Sequence, residues 1–185
     1  LATMATMVIP IVGVSCVGVG LIQQNEEAVL NAASVFPFDP SLLVGAILAP
    51  DLGGYFIAQQ LTTDKAMLVL NGVILGSLLG QTVTFQLPVF LAGIERQDHK
   101  PVLRGFITGF TVIPVGMIAA GLMLRSDIRV FLLNFVPILV LCIIIAAGII
   151  KFPDKIIKIF SVFARAVQII INILFFVTVL GIFIP

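Results

Sequence analysis

Charge is what this sequence has least of. Of its 185 residues 10% are charged and 60% are hydrophobic, against roughly 25% charged in a soluble domain, so the chain could not cover a soluble surface. Ten Lys and Arg face nine Asp and Glu; that balance leaves no basic stripe for nucleic acid, and the hydrophobicity excludes disorder. Histidine occurs once, as His99 among loop charges, where it reads as solvated. No apolar segment therefore carries the His base that a serine nucleophile uses. Cys16 and Cys142 lie in apolar runs without CxxC or Cys/His spacing, which suits small core hydrophobes better than a disulfide or a metal site. There is no P-loop and hence no ATP-driven module. A single carboxylate, Asp51, lies well inside an apolar segment, one short of the pair an aspartyl protease shares a proton between. No cofactor, metal or enzymatic activity is expected.

What is present is apolar length. Uncharged runs cover 1–25, 66–94, 105–124, 130–150 and 166–185, and a further segment, 42–61, carries Asp51 near its middle. With ~20 residues per span, the expected fold is all-α: a polytopic transmembrane protein of about six apolar segments, one or two of them broken or re-entrant. Residues 1–185 form one transmembrane domain in this reading. Leu1 opens inside an apolar run and Pro185 closes one, which reads as a portion of a longer transporter.

The run 66–94 poses a length problem. As one helix it would reach ~44 Å, against ~30 Å of hydrocarbon. Tilt, a break or a re-entrant hairpin would absorb the excess. Six simple crossings divide the ten Lys and Arg seven against three, whereas a fold-back of 66–94 divides them eight against two. The fold-back also places the acidic loop 23–41 outside, and is preferred on that ground. Arg104 is expected to snorkel to the interface, and Lys151, Lys155, Lys158 and Arg165 to set topology, with anionic-lipid contact a secondary role.

Asp51 is the most informative position. A carboxylate at mid-span costs at least ~2.5–3.5 kcal/mol on insertion scales and so faces a cavity, a pathway or a partner. Pro50 disfavours helix at Ala49, and Gly53 and Gly54 add freedom. A helix broken here frees backbone groups beside the carboxylate, as discontinuous transporter helices do. A helix cap is the plainer role for Asp51, and the two are compatible. Tyr55, the only tyrosine, falls four residues on and shares a face with Asp51 if the helix resumes; it suits either a cation–π contact or an interfacial anchor. Gly72, Gly76 and Gly80 recur every fourth residue and favour close helix approach. Gln81, Thr82, Thr84 and Gln86 follow, with Pro88 after them and Asn71 before. These are candidate lining residues, or polar links between helices.

Three elements stand in order: Asp51-Leu52-Gly53-Gly54-Tyr55; then Ile74-Leu75-Gly76-Ser77-Leu78-Leu79-Gly80 with Thr82, Phe85 and Pro88; then Gly93-Ile94-Glu95 with Asp98-His99. In these elements the chain resembles the ethanolamine-utilisation permease family (EutH), over about 49–99 and weakly through 105–121. The resemblance implies a multi-pass protein of the bacterial cytoplasmic membrane that admits ethanolamine, a small cationic amino alcohol. It transfers no established site; Asp51, Gly53, Gly54, Tyr55, Gly76, Gly80, Thr82 and Pro88 occupy matching positions, while Gln81 and Gln86 fall where the pattern varies. The residues alone leave two alternatives open: an H⁺- or Na⁺-coupled transporter of another small polar solute, and a non-transporting membrane scaffold subunit.

Overall fold

The computed structural model describes residues 35–87 and 94–158, together with 20, 24, 25, 27, 28, 31 and 90. The apolar segments 1–22, Gly20 apart, and 166–185, together with Cys16, Pro88 and Arg165, lie outside the described residues. Every regular element among the described residues is helical. Helix α1 (Ser41–Ile47) and helix α2 (Gly54–Leu61) flank a short 3₁₀ turn, Pro50–Leu52. Helix α3 covers Lys65–Gln86, α4 His99–Leu124 and α5 Ile128–Lys151, and these three are long and apolar enough to cross a membrane.

The segment 42–61 does not cross as one interrupted span. Its chain reverses. The Thr62 hydroxyl donates to Asp39 Oδ2 at 2.6 Å, so the two ends of the segment lie side by side and α1 and α2 form a helical hairpin. The reversal is local chemistry. Pro50 starts the 3₁₀ turn, and Gly53 follows at φ 90, a left-handed conformation that glycine takes without a Cβ clash. The Gly54 N–H then closes onto the Ala49 carbonyl at 3.1 Å. Val44, Ile57, Ala58 and Leu61 fill the space between the two helices.

The fold-back expected within 66–94 is also corrected, since α3 runs through Lys65–Gln86 as one helix of 22 residues. Asp64 caps its start by accepting from the Ala66 and Met67 N–H groups. From Leu68 to Gly80, and again from Thr82 to Gln86, the backbone bonds reach five residues back rather than four, the wide π winding that usually occurs only as single turns. Most of one face of α3 is buried: Leu70, Leu75 and Leu79 are enclosed in the main core with Leu103, Phe110 and Met117 of α4 and Ile138 of α5.

Helices α4 and α5 are antiparallel, joined through Arg125–Asp127, and Asp127 caps α5 by accepting from the Arg129 N–H at 2.8 Å. Pro114 and Pro137 lie inside them without ending either helix, a pattern membrane helices tolerate. Their outer faces carry exposed Val115, Leu122, Ile143 and Ile144, as a lipid-facing surface requires. Cys142 is buried in this core.

Candidate functional site

The hairpin lies on the glycine ladder of α3, and the contact is made by backbone. A methyl group at Gly80 would run into the Leu48 and Gly45 carbonyls, and one at Gly45 into the Asn71 carbonyl. Gly76 faces the Leu48 carbonyl oxygen and the Pro50 ring, each 3.2 Å from where a Cβ would sit. Gly72 faces Ala58 and the edge of the Tyr55 ring. The tip of the hairpin therefore meets α3 between Gly76 and Thr84, along the second half of Lys65–Gln86. The last carbonyls of a helix lack intrahelical donors. At the end of α1 the Thr84 hydroxyl donates to the Ile47 carbonyl, and the Leu48 N–H donates to Val44 at 2.7 Å.

At the tip itself, Asp51 lies in the 3₁₀ turn with its side chain exposed. Tyr55 lies in the first turn of α2, half-buried, with its ring edge-on to Phe56 at 5.9 Å. The helical four-residue relation between Asp51 and Tyr55 is lost, because left-handed Gly53 separates the turn from α2.

A second polar assembly closes the base of the hairpin. Asp39 Oδ1 accepts from the Ser41 N–H at 2.9 Å and from the Ser41 hydroxyl at 2.5 Å, and its other oxygen accepts from Thr62. Asn71 Nδ2 donates to Ser41 Oγ at 3.0 Å and to Asn134 Oδ1 at 3.1 Å, and Asn134 Nδ2 donates to the Val130 carbonyl at 2.8 Å. The chain of bonds thus joins hairpin, α3 and α5. Ser41, Asn71 and Asn134 are fully buried or nearly so. Asn71 Oδ1 accepts nothing among the described residues, and a buried polar atom without a partner is an uncommon liability.

The third place is a groove of about 750 Å³ between α3 and α4. Ser77, Thr82 and Gln86 supply its polar side, and Gly105, Phe106 and Gly109 part of its opposite wall. The Thr82 hydroxyl donates to the Leu78 carbonyl at 2.6 Å and lies 3.2 Å from the Gln86 side-chain oxygen. Gln81 is half-buried between the two π stretches.

The residues singled out from the sequence thus fall in three places. Asp51, Tyr55, Pro50, Gly53 and Gly54 are at the tip, with Gly76, Gly80 and Thr84 beneath it. Asn71 belongs to the base, and Thr82 and Gln86 to the groove. Asp39, Ser41 and Asn134 were missed. Asn134 carried a usable signal, a polar residue inside the apolar run 130–150. Asp39 and Ser41 flank Pro40 and looked like an ordinary turn. His99 is corrected as well: it opens α4 half-buried, with Nε2 enclosed and without a hydrogen-bond partner among the described residues. Among the described residues no group of His, Cys, Asp and Glu could hold a metal ion.

Comparison with known proteins narrows the field. Residues 1–185 match the family described as ethanolamine utilisation protein, EutH. The chain is 30% identical over 183 residues to the Salmonella typhimurium protein named "Probable ethanolamine permease EutH", covering 92% of this chain and 45% of that one. Identity to the Escherichia coli protein of the same name is 30% over 175 residues, 88% of this chain and 43% of that one. For the Listeria monocytogenes protein it is 30% over 170 residues, 92% and 46%. The chain therefore spans a little under half the length of these curated relatives. No solved structure matches it.

Proposed function

The chain belongs to the ethanolamine utilisation protein EutH family, and from that membership we propose that it forms part of a bacterial membrane permease admitting ethanolamine, with the hairpin tip as the element that meets the solute. The observation that carries the reading is the exposed carboxylate of Asp51 at a hairpin tip packed on the second half of a span-length helix. Seven residues of α1 rise about 10 Å, so a hairpin based at one membrane face would carry its tip a third of the way or more through ~30 Å of hydrocarbon. A carboxylate held there, where charge is penalised, is a partner for a cation.

Ethanolamine is mostly protonated at neutral pH. In this reading Asp51 pairs with its ammonium, and Tyr55 offers an aromatic face to the same charge. Thr82 and Gln86, in the separate groove between α3 and α4, and Gln81 between the two π stretches are further polar groups for the hydroxyl along the path. Thr84 and Asn71 hold the hairpin on α3.

The topology follows from the same hairpin. If α3, α4 and α5 cross and 41–61 does not, the connections 95–104 and 151–165 share a side and hold seven of the ten Lys and Arg. By the positive-inside rule that side is cytoplasmic, which puts the acidic loop 23–41 and the hairpin base outside. Counted on apolar length alone, the segments 1–22 and 166–185 would bring the total to five crossings and one re-entrant hairpin in the inner membrane.

The test is uptake of radiolabelled ethanolamine by cells carrying the full-length protein, at concentrations low enough to limit passive entry. Uptake above that of empty cells is expected, with Asp51→Asn reducing it tenfold or more. Uptake equal to empty cells would overturn the permease reading. Unchanged uptake in Asp51→Asn would retain the permease and remove Asp51 from its site.

A further inference from the structure

The basic end of the molecule is left unused by solute passage. The start of α4 and the end of α5 are drawn together there by an ion pair, Lys100 Nζ to Asp154 Oδ1 at 3.0 Å. Residues 95–104 and 151–158 hold six Lys and Arg against three carboxylates, and the ion pair occupies one of those carboxylates, Asp154. Arg104, one turn beyond Lys100, is exposed, as are Lys151 and Lys155. The segment 153–158 is amphipathic: Ile156 and Ile157 pack against the core, and Lys155 turns outward with Nζ 4.9 Å from the centre of the Phe152 ring.

Directly below these cations the protein surface becomes apolar. Phe152 is 53% exposed and Ile150 67%, and α5 continues along its length with exposed Ile143 and Ile144. Cations at the rim of a long apolar helix face match a ligand with a negative head and hydrocarbon tails. We propose that this end is a binding surface for an anionic phospholipid, its phosphate held by Lys151, Lys155 and Arg104 and its acyl chains lying along α5. The chemistry is charge attraction at a membrane surface, about one kilocalorie per basic side chain, together with burial of Phe152 and Ile150 by the tails. Lys100 acts differently, neutralising Asp154, which would otherwise repel the phosphate.

The experiment uses the purified full-length protein in nanodiscs of phosphatidylcholine doped with spin-labelled phosphatidylglycerol, or with spin-labelled phosphatidylcholine as the neutral arm. Enrichment of the anionic label at the protein surface is expected, weakening as salt rises. Removing two of the charges in Lys151→Gln/Lys155→Gln should weaken the preference about 25-fold, or fivefold per charge, and the double Arg variant should restore it. Arg129→Gln, at the other end of α5, is expected to leave it unchanged. Equal affinity for both labels, or a double Gln variant that is monodisperse and still selective, would overturn the proposal. So would competition by inorganic phosphate at matched concentration, which would make this a free-anion site. None of these readouts depends on ethanolamine uptake.

Discussion

The molecule contains two kinds of helix pairing. The hairpin meets α3 through carbonyl oxygens and glycine Cα atoms, with Gly45 and Gly80 at the contact. Helices α4 and α5 meet through side chains: the Phe131 ring fills the space over Gly121 and stacks on Phe135 at 5.4 Å. Both contacts use glycine, yet what lies opposite differs. A backbone carbonyl moves only with its chain, whereas a phenyl ring can change rotamer. The first contact is therefore expected to yield less than the second, and the exposed carboxylate sits beside the first.

Three substitutions to alanine probe that difference, in descending order of effect. Gly80→Ala places a methyl on the Leu48 carbonyl and should displace the hairpin. Overpacking of this kind costs typically 1–3 kcal/mol, and more is expected where backbone opposes it. Uptake should fall to background even if the protein reaches the membrane, as read by transport and by protease accessibility at the tip. Gly121→Ala meets the Phe131 ring first, so a loss of about 1 kcal/mol is expected in thermal unfolding, and Phe131→Leu in the same chain should recover most of it. If Gly121→Ala proves as damaging as Gly80→Ala, the contrast between rigid and adaptable contacts is wrong. Gly109→Ala adds a methyl where nothing lies within 4 Å and should change stability by less than about 0.5 kcal/mol. Any effect it has on uptake would then report the groove rather than the fold.

The break in the first helical segment was legible. Proline followed by Asp and two glycines leaves a helix few alternatives, and Asp51 marked the place. That the chain reverses there was not legible, because a kinked span and a hairpin share one hydropathy profile. What separates them is the bond between Asp39 and Thr62, 23 residues apart in the chain, and neither residue is unusual where it stands. The long run 66–94 misled for a related reason. Its polar residues suggested unwinding, but Thr84 is spent on the end of α1 and Asn71 on Ser41 and Asn134, so their partners lie on other elements. The glycines at 72, 76 and 80 could be read as a close-approach surface, though not as one opposed by carbonyls.

The closed hairpin has a consequence in time. Its two helices hold seven and eight residues, each too short to partition into a bilayer as a span of ~20. Nor can the backbone groups at its tip go unpaired in hydrocarbon; Thr84, which caps one of them, belongs to α3. On the proposed re-entrant topology, α3 must reach the bilayer no later than the hairpin, although the hairpin is synthesised before it.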